Sequence, residues 1–167
     1  MTILGVDPGL QNTGFAVLDT EKKICTVLQF GVIKTNSSQS FELRLKTIYD
    51  QLCKIIERYQ FKVVALEEIF YSRNVKVALK MSHARGVTFL AAANHRIPTA
   101  EYSPREIKQA VTGNGNASKY QVQQMISRLL NLPSIPSMFD ITDAMAVAYC
   151  HSQRVIFDAA SQQPLKK

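Results

Sequence analysis

Two periods of hydrophobic and polar positions run along the chain, and the switches between them mark out its elements. Ile3 to Val6 is nearly all apolar, Asp7-Pro8-Gly9 breaks the run, and a second apolar run, Phe15 to Leu18, follows Gly14. The pattern predicts two antiparallel strands joined by a tight turn, with Asp7 at the tip of the first. Pro8 fixes its own φ and has no N–H to donate, so the first strand ends there. Gly9 and Gly14 let backbone come close to whatever Asp7 faces. Ile24 to Lys34 supplies a third β-rich segment and completes a meander. After a polar loop ending at Ser40, a plausible N-cap, the period changes to 3.6. Phe41, Leu45, Ile48, Leu52, Ile55, Ile56 and Tyr59 recur at helical spacing, which predicts an amphipathic helix lying on a sheet.

Val63 to Leu66 is apolar without alternation and ends in Glu67-Glu68, as expected of a strand covered on both faces. Reached through a helical crossover, it should lie parallel to an earlier strand. If that neighbour is the first strand, Asp7 and Glu67 meet at one sheet edge. From about Asn74 to His95 the pattern is helical. Lys76, Lys80 and Arg85 lie in its first half, while Val87 to Ala93 is apolar almost all round. Such a helix needs a second surface to bury against, either a homodimer contact or a deeper core. Thr99 to Tyr102 reads as a short strand. Ser103-Pro104-Arg105-Glu106 is a helix start with cap, proline at the first position and acid three after the cap. Gly113-Asn114-Gly115-Asn116 ends that helix, and another runs from Ser118 to Leu130. Pro133 and Pro136 bracket a linker, and a last, mostly apolar helix opens at Ser137.

Composition changes this picture little. The chain has 167 residues, 46% hydrophobic and 20% charged, as in an ordinary soluble domain. It has no apolar run long enough for a membrane helix and no basic N-terminal flank of a signal peptide, so a cytoplasmic location is expected. Cys25, Cys53 and Cys150 are odd in number and sit in apolar contexts, reading as reduced thiols. His83, His95 and His151 show no ligand spacing. Charge says more. The net charge is +7, and gathering four of the 13 acids into one site leaves nine acids against 20 bases elsewhere. That balance favours a polyanionic partner such as nucleic acid.

The acids point to chemistry. Asp140 and Asp143 lie on one face of the last helix, above the apolar run Ala144 to Cys150. Asp140 also sits where an acid completes a capping box with Ser137, and that structural role competes with a chemical one. No basic residue lies within one turn of the pair, so a metal accounts better for carboxylates on a largely buried helix. Two carboxylates about 4 Å apart repel by roughly 4 kcal/mol at an effective dielectric near 20. Asp7, Glu67, Asp140 and Asp143 together therefore call for cations, and all-oxygen ligands select Mg²⁺ or Mn²⁺. Two such ions about 3.5–4 Å apart suit in-line phosphodiester displacement, with Asp7 the best placed to bridge them. The loop from Ile69 to Asn74 carries Phe70 and Arg73, a combination suited to unpaired bases, although Phe70 serves equally well as a hydrophobic plug. A glycine-rich turn flanked by Lys108 and Lys119 suits phosphate contact but lacks the Walker pattern.

These residues carry a resemblance. GVDPG, ALEEIF, NVKVALKMSHARG, Lys108 and Lys119 around GNGN, and DITDAMAVA resemble, in order and spacing, the bacterial RuvC Holliday-junction resolvases. The resemblance implies an α/β, ribonuclease-H-like fold, with a mixed five-stranded sheet flanked by helices. It covers a nuclease domain at residues 1–155, leaving 156–167 as a flexible tail. It further implies resolution of four-way DNA junctions by a homodimer with Mg²⁺, two ions per subunit being expected and Mn²⁺ substituting. Partnership with the RuvA–RuvB branch-migration complex is implied as well. The family's catalytic and metal-binding acids fall on Asp7, Glu67, Asp140 and Asp143, and its DNA contacts on Phe70, Lys108 and Lys119. Glu68 stands where relatives can have glutamine and is not expected to be a ligand. Arg73, Lys76, Lys80 and Arg85 join the DNA-contacting set as neighbouring cations. The alternatives are a related ribonuclease-H-fold nuclease acting on RNA/DNA hybrids or other branched intermediates, a phosphate-binding domain of an actin-like ATPase, and a non-catalytic junction binder.

Overall fold

The computed structural model describes residues 1–21, 24–68 and 75–161. In chain order the elements are β1 (Thr2–Asp7), β2 (Asn12–Glu21), β3 (Ile24–Lys34), α1 (Phe41–Ile56), β4 (Phe61–Glu67), α2 (Val75–Asn94), β5 (Thr99–Tyr102), α3 (Pro104–Thr112), α4 (Lys119–Leu129) and α5 (Phe139–Ser161). The strands form one sheet in the order β3-β2-β1-β4-β5. β1 pairs antiparallel with β2 and parallel with β4, and β4 pairs parallel with β5. This is the expected mixed five-stranded α/β sheet, with the crossover through α1 delivering β4 beside β1.

Side chains alternate across the sheet with period 2, and each face is covered by helices. Leu4, Val6, Val17, Val64 and Leu66 pack with α1 and α2 in one core. Ile3, Ala16, Leu18, Val63 and Ala65 pack with α3, α4 and α5 in the other. By the same alternation Asp7 and Glu67 belong to the α5 face, while Glu68 turns away from it and is exposed. Burying each large aliphatic side chain contributes about 1.5–3 kcal/mol, so both layers matter to stability.

The helix termini follow the sequence signals. Ser103 accepts from the Glu106 N–H, the Glu106 carboxylate accepts from the Ser103 N–H, and Pro104 opens α3. Gly113 closes it at φ 74°, a left-handed conformation that favours glycine. Ser118 and Gln121 make a second capping box at α4. α5 starts at Phe139, so Asp140 sits in its first turn. Among the described residues its side chain makes no capping bond to Ser137. The helix continues past residue 155 to Ser161.

Two glycines set how closely α5 approaches the sheet. A Cβ on Gly5 would lie 2.1 Å from the Ala144 carbonyl oxygen, and one on Gly14 would lie 1.9 Å from the Asp140 carbonyl oxygen. Only hydrogen at these positions permits the contact, and backbone atoms cannot rotate aside. Gly14→Ala and Gly5→Ala are each expected to cost about 1–3 kcal/mol or more by lifting α5 from the sheet. Urea denaturation read by circular dichroism checks this, with Gly14→Ala also displacing Asp140.

Candidate active site

Four acidic residues are carried to the end of the sheet where β1 and β4 stop. Val6 lies opposite Leu66 in the parallel register, so the next residues, Asp7 and Glu67, reach the same edge. Asp7 faces Gly14 of β2, and Gly14 in turn lies under the backbone of Asp140. Asp143 is one helical turn further along α5. The turn after Asp7 is pinned from several sides. The Thr13 hydroxyl donates to the Gly9 carbonyl at 2.7 Å, and the Thr35 hydroxyl to the Leu10 carbonyl at 2.6 Å. Arg44 of α1 donates to the Thr35 hydroxyl at 2.9 Å and to Leu10 O at 3.3 Å.

Electrostatics link the acids through Asp7, on which the charges of the other three act. Burial, followed by the charges of Asp143, Glu67 and Asp140, pushes the Asp7 carboxyl up to about 7. Glu67 is raised by burial and then by Asp143, against the pull of Lys119, Lys108 and Arg85. Asp143 is raised by burial despite the opposing ammonium of Lys119. Lys119, the first residue of α4, donates from Nζ to Asp143 Oδ2 at 3.0 Å. Burial alone would depress this amine, but Asp143, Asp7 and Glu67 outweigh it and hold the ammonium above its ordinary value.

The donors are hard carboxylate oxygens, which fit a divalent metal such as Mg²⁺ in type and charge. Among the described residues no three His, Cys, Asp or Glu side chains stand close enough together to hold a metal ion as they are. One lysine instead supplies positive charge at Asp143.

The remaining predicted site residues divide. Lys108 of α3 is near enough to lower Glu67 and Asp143. Phe70 and Arg73, and the side chains of Lys76 and Lys80, lie outside the described residues. Arg85, expected among the DNA contacts, is 8% exposed and committed internally. Its guanidinium donates to the Glu67 carbonyl oxygen, forms an ion pair with Glu101, and stacks 5.0 Å from the Phe89 ring centroid. Burial among three partners removes it from the open surface and makes it a strut behind Glu67. Sequence reasoning missed both this strut and the Lys119–Asp143 pair. Gly5, unremarked in the sequence, did carry a signal, since glycine inside an apolar strand marks close backbone approach.

Comparisons with known proteins agree with this geometry. The family model described as Crossover junction endodeoxyribonuclease RuvC matches residues 3–151. A protein of that description from Alkaliphilus oremlandii is 48% identical over 152 residues, 91% of this chain and 93% of its own. One from Desulforamulus reducens is 46% identical, covering 92% of this chain and 94% of its own. Among solved structures, Thermus thermophilus RuvC in complex with Holliday junction substrate superposes with a TM-score of 0.89 at 29% identity, covering 95% of this chain and 96% of that one. The yeast mitochondrial Holliday junction resolvase Ydc2 shares the fold at a TM-score of 0.62 and 13% identity. On the extent of these matches, this chain belongs to the RuvC crossover junction endodeoxyribonuclease family.

Proposed function

We propose that this protein is a structure-specific endonuclease that resolves four-way DNA junctions by paired, metal-dependent phosphodiester hydrolysis in recombination and repair. The observation that supports the reading is the placement of Asp7 and Glu67 at one sheet edge, with Asp140 and Asp143 on the helix over it and their charges acting on Asp7, in a chain of this family. Those four side chains would hold the metal, Mg²⁺ with Mn²⁺ as a substitute. Bound there, it supplies Lewis acidity that activates water and offsets charge building on the phosphodiester. Asp7, the most strongly perturbed of the four, must give up its proton to serve as a ligand, because metal binding competes with protons. Lys108 and Lys119 flank the acids and would present ammonium groups to phosphate oxygens. Phe70 is assigned to DNA on family grounds, and Arg73, Lys76 and Lys80 as cations that neighbour it in the sequence. The RuvA–RuvB complex as partner rests on family grounds.

A single four-carboxylate site makes one cut, whereas resolving a junction without leaving a branch requires two matched incisions. The reading therefore calls for two copies related by a two-fold axis. α2 offers the surface. Its inner side buries Ala84, Thr88, Ala91 and Ala92, while Leu79 and Leu90 on the outer side are 54% and 53% exposed. Gly86 lies between them along the helix, exposed, and a Cβ there would meet nothing within 4 Å. Small and apolar residues in one row suit helix-to-helix packing between protomers. No helix among the described residues is long and apolar enough to cross a membrane.

Three outcomes follow from this assignment. Asp7→Asn, Glu67→Gln and Asp140→Asn should each cut a four-way junction at below about 1% of the unmodified rate while still binding it, since removing even an outer-shell partner of a metal site typically costs 10–100-fold. Cleavage gels and gel shifts in Mg²⁺, run beside an RNA/DNA hybrid, test this, and preferential cutting of the hybrid would defeat the junction assignment.

The second outcome concerns pH. Asp7 has a folded value of about 7 against an ordinary 3.8, so its contribution to stability is present below about 4 and lost as pH rises through 7. Without metal, Asp7→Asn should melt higher than the unmodified protein at pH 8, and the gap should shrink on acidification towards pH 4. Divalent-cation affinity of the unmodified protein should rise across pH 6 to 8. Scanning calorimetry with chelator and metal titrations measure the two.

The third tests the dimer. Leu90→Lys should give monomers by sedimentation that accumulate nicked circles from a cruciform-bearing plasmid, where the unmodified protein gives linear product. A stable Leu90→Lys dimer would remove α2 from the interface.

A further inference from the structure

Lys119 is placed by its motif beside DNA, yet its ammonium is spent on Asp143. The pair is asymmetric, for the lysine side chain is 70% exposed and that of Asp143 only 16%. A flexible stem thus reaches from solvent into a mostly covered acid. Its backbone is fixed, because the Ser118 hydroxyl accepts from the Gln121 N–H at 3.2 Å and the Gln121 side chain accepts from the Ser118 N–H at 2.8 Å. Only the four-carbon side chain is free to swing. Arg85 is occupied by the Glu67 carbonyl and Glu101. Lys108 makes no ion pair among the described residues, so Lys119 is the one cation in salt-bridge contact with the four acids there.

A divalent cation on the same carboxylates would compete for Asp143 Oδ2 and repel the ammonium beside it. We propose that Lys119 is the resident counter-cation of the metal-free site, and that it leaves Asp143 when a divalent cation occupies the acids, freeing its ammonium for a DNA phosphate. This rests on the metal-dependent nuclease reading and adds an order to it: one side chain serves the acids before metal binds and the substrate afterwards. Metal and DNA binding are then cooperative, through the reassignment of a single lysine and without movement of the fold.

Calorimetric titration of Mg²⁺ and of Mn²⁺ into the full-length protein without DNA tests the exchange. Lys119→Met should bind either ion about fivefold more tightly, the equivalent of a half-exposed ion pair worth about 1 kcal/mol. Lys119→Arg, which keeps the charge, should bind as the unmodified protein does. As a second readout, reductive methylation of Lys119, followed by mass spectrometry against exposed Lys62, should speed up when Mg²⁺ is added. Unchanged or weaker metal binding by Lys119→Met, or a methylation rate indifferent to Mg²⁺, would overturn the exchange and leave the nuclease assignment standing. Failure of the unmodified protein to bind either ion would overturn both.

Discussion

Contact between bare backbones is the constraint on which the site depends. α5 rests on Gly5 and Gly14 with its carbonyls where a methyl group would otherwise stand. Two acids of the cluster ride on that helix and the other two on the strands beneath it. Their spacing is therefore set by the thickness of the helix–sheet interface at its thinnest place. Adding one carbon there changes the distance between the two halves of the site before it changes any acid. The buried row Ala144 to Ala148 continues the same close fit along α5, so the helix is seated over several turns and not hinged at its first.

Upon that mechanical frame the electrostatics are graded. Asp7 is held by both neighbouring strands and by helix α5, is the most shielded, and carries the largest shift. Asp143 is moderated by Lys119, and Glu67 by three cations at longer range. Burial thus raises all three, with the opposing cations set against Asp143 and Glu67. Asp7 is therefore the carboxyl that must give up its proton for the site to load a hard cation at neutral pH.

Much of this was legible in the chain itself. The uninterrupted apolar run from Val63 to Leu66 announced a strand buried on both faces, and the Ser103-Pro104-Arg105-Glu106 start was realised bond for bond. Both are local signals that tertiary structure reinforces. The meeting of Asp7 with Glu67 was also readable, because a parallel register follows from a helical crossover. What stayed hidden were contacts between side chains far apart in sequence. Lys119 lies 24 residues from Asp143, and a search within one turn of the acids could not find it. Arg85 stood in a row with Lys76 and Lys80, and charge alone does not tell a buried guanidinium from a solvated one. α5 begins at Phe139, which puts Asp140 second in the helix and not at the capping-box position counted from Ser137, a boundary that periodicity places to within a turn at best.

Arg85 gives the molecule one further property. It is adjacent in sequence to Gly86, which is on the outside of α2, while its own guanidinium holds the carbonyl of Glu67 and the carboxylate of Glu101 on the inside. Surface and site are therefore one residue apart along the helix, joined by a planar guanidinium held on three partners. The carbonyl that closes β4 is thereby tied to the helix layer as well as to its own sheet, so the place of Glu67 depends on how α2 is seated.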